Sequence, residues 1–103
     1  DILGRPANAD RYDIILTSET IYSEDSIPRL IHVITNVLKK PSGVAYVAAK
    51  TIYFGVSGGT LPFRALVERA RDADGHGLEI ETVAEVTGTN TVKREVLRVR
   101  WRV

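Results

Sequence analysis

Apolar residues recur along this chain with three different spacings, and each spacing predicts a different element. Tyr12 to Leu16 ends in three contiguous apolar positions, Ile14, Ile15 and Leu16. A run without alternation predicts a short strand covered on both faces. Ile27, Leu30, Ile31, Ile34, Val37 and Leu38 then recur at steps of three and four, which predicts an amphipathic helix. Asp25 or Ser26 can cap its start, Pro28 suits its first turn, and Lys39-Lys40 favours the negative end of its dipole before Pro41-Ser42-Gly43 ends it. Val44 to Ala49 is again a continuous apolar run and predicts a second buried strand. Strand, helix and strand of this kind form a parallel βαβ unit.

A second helix is expected after "GVSGG", with Thr60 as its cap, Pro62 in its first turn, and Leu61, Phe63, Leu66, Val67 and Ala70 as its apolar stripe. Asp72 to Gly77 is a polar exit punctuated by glycine. The remainder alternates strictly. Leu78, Ile80, Thr82, Ala84 and Val86 share one side of a strand, and Leu97, Val99, Trp101 and Val103 share one side of another. This is a hairpin. If it turns at Thr89-Asn90, Leu78 faces Trp101, Ile80 faces Val99 and Thr82 faces Leu97, while the opposite face pairs Glu79 with Arg100, Glu81 with Arg98 and Glu85 with Arg94. The arginine row is therefore expected to be a cross-strand charge ladder rather than a stripe for RNA.

In open α/β sheets, ligands bind outside the carboxyl ends of the parallel strands. Two polar, irregular segments fall there: "TSETIYSED" (Thr17 to Asp25) leaves the first strand, and Lys50 to Gly59 leaves the second. Their carboxylate, hydroxyls, phenols, ammonium and glycine-rich turn converge on one rim. Taken singly, each has a plain alternative. Glu19 can cap or salt-bridge locally, Tyr22 can be a core aromatic, Lys50 can snorkel from a strand end, and "GVSGG" can simply be flexibility before a helix. The glycine turn lacks the Lys-Ser/Thr of a P-loop and the spacing of a dinucleotide fingerprint. His32 and His76 are isolated, no cluster has metal-ligand spacing, and no pair of nucleophile and base stands out.

Composition narrows the picture little. With 103 residues, 44% of them apolar and 26% charged, the chain has the make-up of a globular domain. Its net charge of +1 gives no global field for gathering nucleic acid, so direct nucleic-acid binding is not expected. The longest apolar run is far too short for a bilayer, so no membrane association is expected, and no basic segment precedes an apolar run as a secretory signal requires. The absence of cysteine excludes a disulfide framework. The chain has no methionine and opens on Asp1, which leads us to expect a fragment of a longer protein or a processed chain that has lost a targeting segment.

"YDIILTSETIY" (Tyr12 to Tyr22) and "AKTIYFGVSGG" (Ala49 to Gly59) closely resemble segments of the protein-histidine N-methyltransferases, in the subgroup of seven-β-strand methyltransferases with an acidic-x-x-aromatic motif after the fourth strand. That motif is Glu19-Thr20-Ile21-Tyr22 here. The resemblance implies an α/β fold: the C-terminal half of a Rossmann-like class I methyltransferase sheet, βαβα followed by an antiparallel β-hairpin. Residues 1–103 would then be the C-terminal portion of a single methyltransferase domain, with the cofactor's glycine-rich loop and ribose-holding acid upstream of Asp1.

The resemblance further implies S-adenosylmethionine as methyl donor and a histidine of a ribosomal protein as acceptor. Glu19 and Tyr22 would be catalytic, Leu16, Thr17, Ser18 and Tyr22 would border the cofactor, and Lys50, Tyr53, Phe54, Gly55, Gly58 and Gly59 would shape the acceptor channel. The expected partners are the missing half of the domain, or a subunit completing it, and the protein substrate. The expected location is cytoplasm and nucleus, or an organelle if a transit segment has been removed. A different class of function is a noncatalytic methyltransferase-like subunit of a larger assembly. An intact glycine-rich loop upstream distinguishes the enzyme from the scaffold.

Overall fold

A computed structural model describes residues 11–51, 58–87 and 93–102. Its elements follow the expected order: β1 (Ile14–Ser18), α1 (Ser26–Val37), β2 (Val44–Lys50), α2 (Thr60–Arg69), β3 (Leu78–Val86) and β4 (Arg94–Trp101). They form one sheet of order β1-β2-β4-β3, in which β1 and β2 are parallel while β4 runs antiparallel to both its neighbours. Thus the hairpin docks on the βαβ unit through β4. No helix among the described residues is long and apolar enough to cross a membrane.

One face of the sheet carries the core. Ala45, Val47 and Ala49 of β2, Leu97, Val99 and Trp101 of β4, and Leu78 of β3 cluster with Ile27, Ile31 and Ile34 of α1 and Phe63 and Val67 of α2. Fully burying an aliphatic or phenyl side chain contributes roughly 1.5–3 kcal/mol, so the helical stripes are the main reason these helices dock here. Leu61 departs from the expected stripe and is exposed, leaving Phe63 and Val67 to anchor α2 with Leu66 and Ala70 half-buried against the same cluster.

The other face is open over β1. Ile14 is 60% and Leu16 75% exposed. Among the described residues, therefore, the first strand is covered on one face and not on both as expected: successive strand residues point to opposite sides, and both helices cover the same side. The strand also begins later than expected. Tyr12 makes only an isolated bridge to Leu38, although its backbone N–H donates to Val37 and its carbonyl accepts from Lys39.

The helix starts also differ from expectation. Neither Asp25 nor any side chain at that position caps α1; instead Ser23 and Ser26 exchange bonds, each backbone N–H donating to the other's hydroxyl at 3.1 and 3.3 Å. Thr60 does not cap α2, because its hydroxyl is drawn to Glu95. Nor do the two lysines after α1 simply face its dipole. Lys39 pairs with Asp13 at 3.3 Å, and Lys40 pairs with Asp72 while lying 4.8 Å from the ring centre of Trp101.

The hairpin keeps the expected register for half its length. Leu78, Ile80 and Thr82 face Trp101, Val99 and Leu97, and Glu79 and Glu81 face Arg100 and Arg98, to which they pair. The register then shifts between Thr82 and Ala84. Val83 is the extra residue of a β-bulge, which moves every later partner by one. As a result Arg94 faces Val86 instead of the expected Glu85, and Glu85 pairs with Lys93 at 3.1 Å. The expected Thr89-Asn90 turn lies outside the described residues.

Candidate functional site

The two rim segments meet through their backbones. β1 ends at Ser18, and the ladder continues one step further with the Glu19 N–H donating to the Ala48 carbonyl at 2.8 Å. Glu19 then turns the chain with φ of 59°, the only non-glycine residue with positive φ among those described. A left-handed glutamate costs backbone energy, and such residues concentrate at functional turns. Thr17 and Thr20 brace the turn by a hydroxyl-hydroxyl bond of 2.6 Å. This turn sends Ile21 into the core, fully buried, and leaves Tyr22 outside at 53% exposure. Tyr22 is thus not a core aromatic; Ile21 fills that place.

Gly58 and Gly59 close on this turn from the other segment. The Gly59 N–H donates to the Ile21 carbonyl at 2.8 Å. A Cβ on Gly58 would lie 2.2 Å from the Tyr22 carbonyl carbon and 2.4 Å from the Ile21 and Tyr22 oxygens. All three are backbone atoms and cannot swing aside, so only glycine permits this approach. The plain alternative for the glycine pair, flexibility before a helix, does not account for that contact. Tyr53, Phe54 and Gly55 lie outside the described residues.

Glu19 is ion-paired with Arg94 at the start of β4. Arg94 is also the register partner of Lys50, the last residue of β2, so carboxylate, guanidinium and ammonium share one end of the sheet. Arg94 is a site residue that the sequence pattern assigned elsewhere, to Glu85. The signal that could have revealed it, the bulge at Val83, carries neither glycine nor proline.

Beside this rim, on the open face, Leu16, Thr17, Ser18, Tyr46, Ala48 and Val96 line a hollow of about 340 Å³. Three expected cofactor-bordering residues therefore share one concavity, and Tyr22 is not among its lining residues. Its apolar floor and the hydroxyl-bearing side chains of Thr17, Ser18 and Tyr46 fit one flank of a donor that joins a sulfur-bearing arm to an amino-acid head and a nucleoside. No element described here supplies a glycine loop for the head or a carboxylate for a ribose. The fit is partial.

Under the rim, Glu95 is buried, with 7% of its surface exposed. It accepts hydrogen bonds from the hydroxyls of Thr51 at 3.0 Å, Thr60, and Thr82 at 3.2 Å, with the Arg64 guanidinium 3.6 Å away. Burial by itself pushes its pKa up, but the three hydroxyls and Arg64 outweigh it and hold the carboxyl below the ordinary value.

Asp72, Asp74 and His76 form a second polar cluster, each offering a ligand atom within 4.8 Å of the others, a grouping the sequence had not led us to expect. The Lys40 ammonium bonds Asp72 and lies 3.6 Å from Asp74 and 3.2 Å from the His76 ring. A cation thus already neutralises the acids, as part of the chain. His32 is exposed on α1, where its carbonyl accepts from the Asn36 amide at 2.7 Å.

Residues 3–53 match a family model described as lysine methyltransferase. A histidine protein methyltransferase 1 homolog from Dictyostelium discoideum is 37% identical over 94 residues, which cover 91% of this chain and 28% of that protein. The homolog from Bos taurus is 42% identical over 71 residues, covering 69% of this chain and 19% of its own length, and histidine protein methyltransferase 1 of Schizosaccharomyces pombe is 32% identical over 81 residues, covering 79% and 23%. The chain therefore spans about a fifth to just over a quarter of these relatives. On these matches the chain belongs to the methyltransferase family, as part of a protein similar to the histidine protein methyltransferases.

Proposed function

We propose that the whole protein transfers a methyl group from S-adenosylmethionine to a histidine side chain of a protein substrate, with a ribosomal protein as the acceptor. The observation that carries this is Glu19, held in a left-handed turn at the strand exit and backed by the contact of Gly58 and Gly59 with Ile21 and Tyr22. When bound, the donor supplies an electrophilic methyl on a sulfonium. A neutral imidazole is nucleophilic enough to take it if its lone pair is aimed correctly. Glu19 accepts the N–H of one ring nitrogen, which fixes the tautomer and leaves the other nitrogen as the attacking atom. Because Arg94 shares the Glu19 carboxylate, it restricts how that carboxylate is aimed. Tyr22, exposed beside the turn, offers a flat face to the ring, and Leu16, Thr17 and Ser18 border the donor. Once methylated, the imidazole sheds its remaining N–H proton, for which Glu19 is the adjacent acceptor.

The rest of the donor site belongs to the part of the protein that completes the sheet, or to a completing subunit. A ribosomal substrate places the activity in cytoplasm and nucleus. The description of the matching family favours a second acceptor, lysine. The test is to incubate the full-length protein with isotope-labelled S-adenosylmethionine and ribosomal proteins, then map the label by fragmentation mass spectrometry. Label on a histidine ring is expected. Label confined to lysine overturns the acceptor, and no label under conditions of demonstrated donor binding overturns the activity.

A further inference from the structure

Position 95 continues the inward row of β4, where Leu97, Val99 and Trp101 are all buried and apolar. An apolar residue would serve the core there, and replacing buried charge with apolar groups is often neutral or stabilising. A carboxylate at this position, satisfied by three hydroxyls and approached by a guanidinium, therefore needs a reason other than stability.

Its partners supply one. Thr51 and Thr60 flank the stretch 52–59, and both donate to the same Glu95 oxygen, Oε2. The Thr60 N–H also donates to the Thr51 carbonyl at 3.2 Å, so the two ends of the stretch are tied together. The other oxygen, Oε1, is held by Thr82 of β3, which in turn accepts from Arg64 of α2. Directly before Thr60 come Gly58 and Gly59, the residues that lie on the Ile21-Tyr22 backbone. A chain of contacts thus runs from Glu95 through the neck at Thr51 and Thr60 to the turn that presents Glu19 and Tyr22.

We propose that Glu95 is a positioning residue that clamps the neck of the 51–60 segment and thereby sets Gly58 and Gly59 against the acceptor-binding turn. Its catalytic consequence rests on the proposed methyl transfer; its structural part does not. A fixed neck matters because displacements of about 1 Å at a reacting pair cost orders of magnitude in rate.

The experiment uses the full-length protein as wild type, Glu95→Ala, Glu95→Gln and Thr51→Val, with amide hydrogen exchange and steady-state methylation measured on each. Exchange at Gly59 and Thr60 is expected to rise about tenfold or more in Glu95→Ala, and less in Glu95→Gln and Thr51→Val, which keep part of the network. Amides of Leu97 and Val99 are expected to keep their protection. Turnover should fall in the same order, with the KM for the donor nearly unchanged. If Gly59 and Thr60 exchange as in wild type, or rise only in step with Leu97 and Val99, the clamp is refuted. If they rise selectively while turnover is unaffected, the catalytic role is refuted. Should Glu95→Ala not fold, Glu95→Gln and Thr51→Val carry the same comparison. A wild-type protein that methylates no histidine overturns the activity alone, since the exchange data still decide the clamp.

Discussion

At the scale of single residues, Glu19 shows how much of a side chain's placement the fold fixes before any ligand arrives. The chain holds a non-glycine residue at φ of 59° and gives its carboxylate a guanidinium partner, Arg94. Substituting Glu19→Gln in the full-length protein keeps the shape of the side chain and its single-oxygen acceptor but removes the charge. Folding and donor affinity should therefore be retained, while turnover on a histidine substrate falls by at least tenfold, because the acceptor ring loses a charge-assisted hydrogen bond. Near wild-type turnover, measured beside an unchanged melting temperature, would sink the assigned role. Glu19 and the two glycines could be read from the sequence because polar and glycine-rich residues crowd two neighbouring strand exits. Arg94 could not, because its partner depends on a register shift caused by one unremarkable valine. Thr60 was misplaced for a related reason: a hydroxyl before a helix reads as a cap, and nothing local announces a buried carboxylate 35 residues later.

Elements were more legible than contacts, since apolar spacing decides which face is buried. The three-and-four spacing of Ile27, Ile31 and Ile34 and the alternation of Leu97, Val99 and Trp101 each had one solution, and both were met. The hairpin offers a direct test of what was not. Arg98→Glu should be destabilising, and adding Glu81→Arg should recover stability, with a coupling of about 0.2–1 kcal/mol for an exposed cross-strand pair. The matching cycle at Glu85 and Arg94 should show no coupling, because the bulge has parted them. Coupling at both pairs in denaturant melts would mean that the bulge is absent in solution.

The polar corner linking the end of α1 to the loop before β3 makes a second prediction. Burial pushes the Asp72 carboxyl up, but the Lys40 ammonium and the backbone N–H groups of His76 and Asp74 outweigh it and hold the group well below its ordinary value of 3.8. A depressed carboxylate contributes stability that is complete above its unfolded value and is lost as pH falls through the folded one. Asp72→Asn should thus lower the melting temperature at pH 7, and the gap from wild type should narrow as the pH drops below about 4. A gap that stays constant down to pH 3 would contradict this.

For the whole molecule, the decisive fact is the change of character across the open face of the sheet. Over β1 it presents Ile14 and Leu16; over β4 and β3 it presents Arg98 and Arg100 paired with Glu81 and Glu79. Water solvates the charged half at little cost, whereas the apolar half and the outer edge of β1, unpaired among the described residues, invite further chain to cover them. This much was legible in the unbroken run Ile14-Ile15-Leu16, since a strand with one wet face would alternate. What could not be read is which chain covers it, because a run of apolar residues specifies burial and not a neighbour. The relatives extend several-fold beyond the aligned region, and we expect the cover to come from the corresponding part of the whole protein. Residues 1–103 produced alone should consequently associate with concentration in sedimentation experiments and melt without a sharp transition. Leu16→Asp should suppress that association by charging the patch, whereas Leu61→Asp, at an exposed position on the helical side, should not. A compact monomer with a cooperative melt would show that the open face needs no cover, and association untouched by Leu16→Asp would place the contact elsewhere.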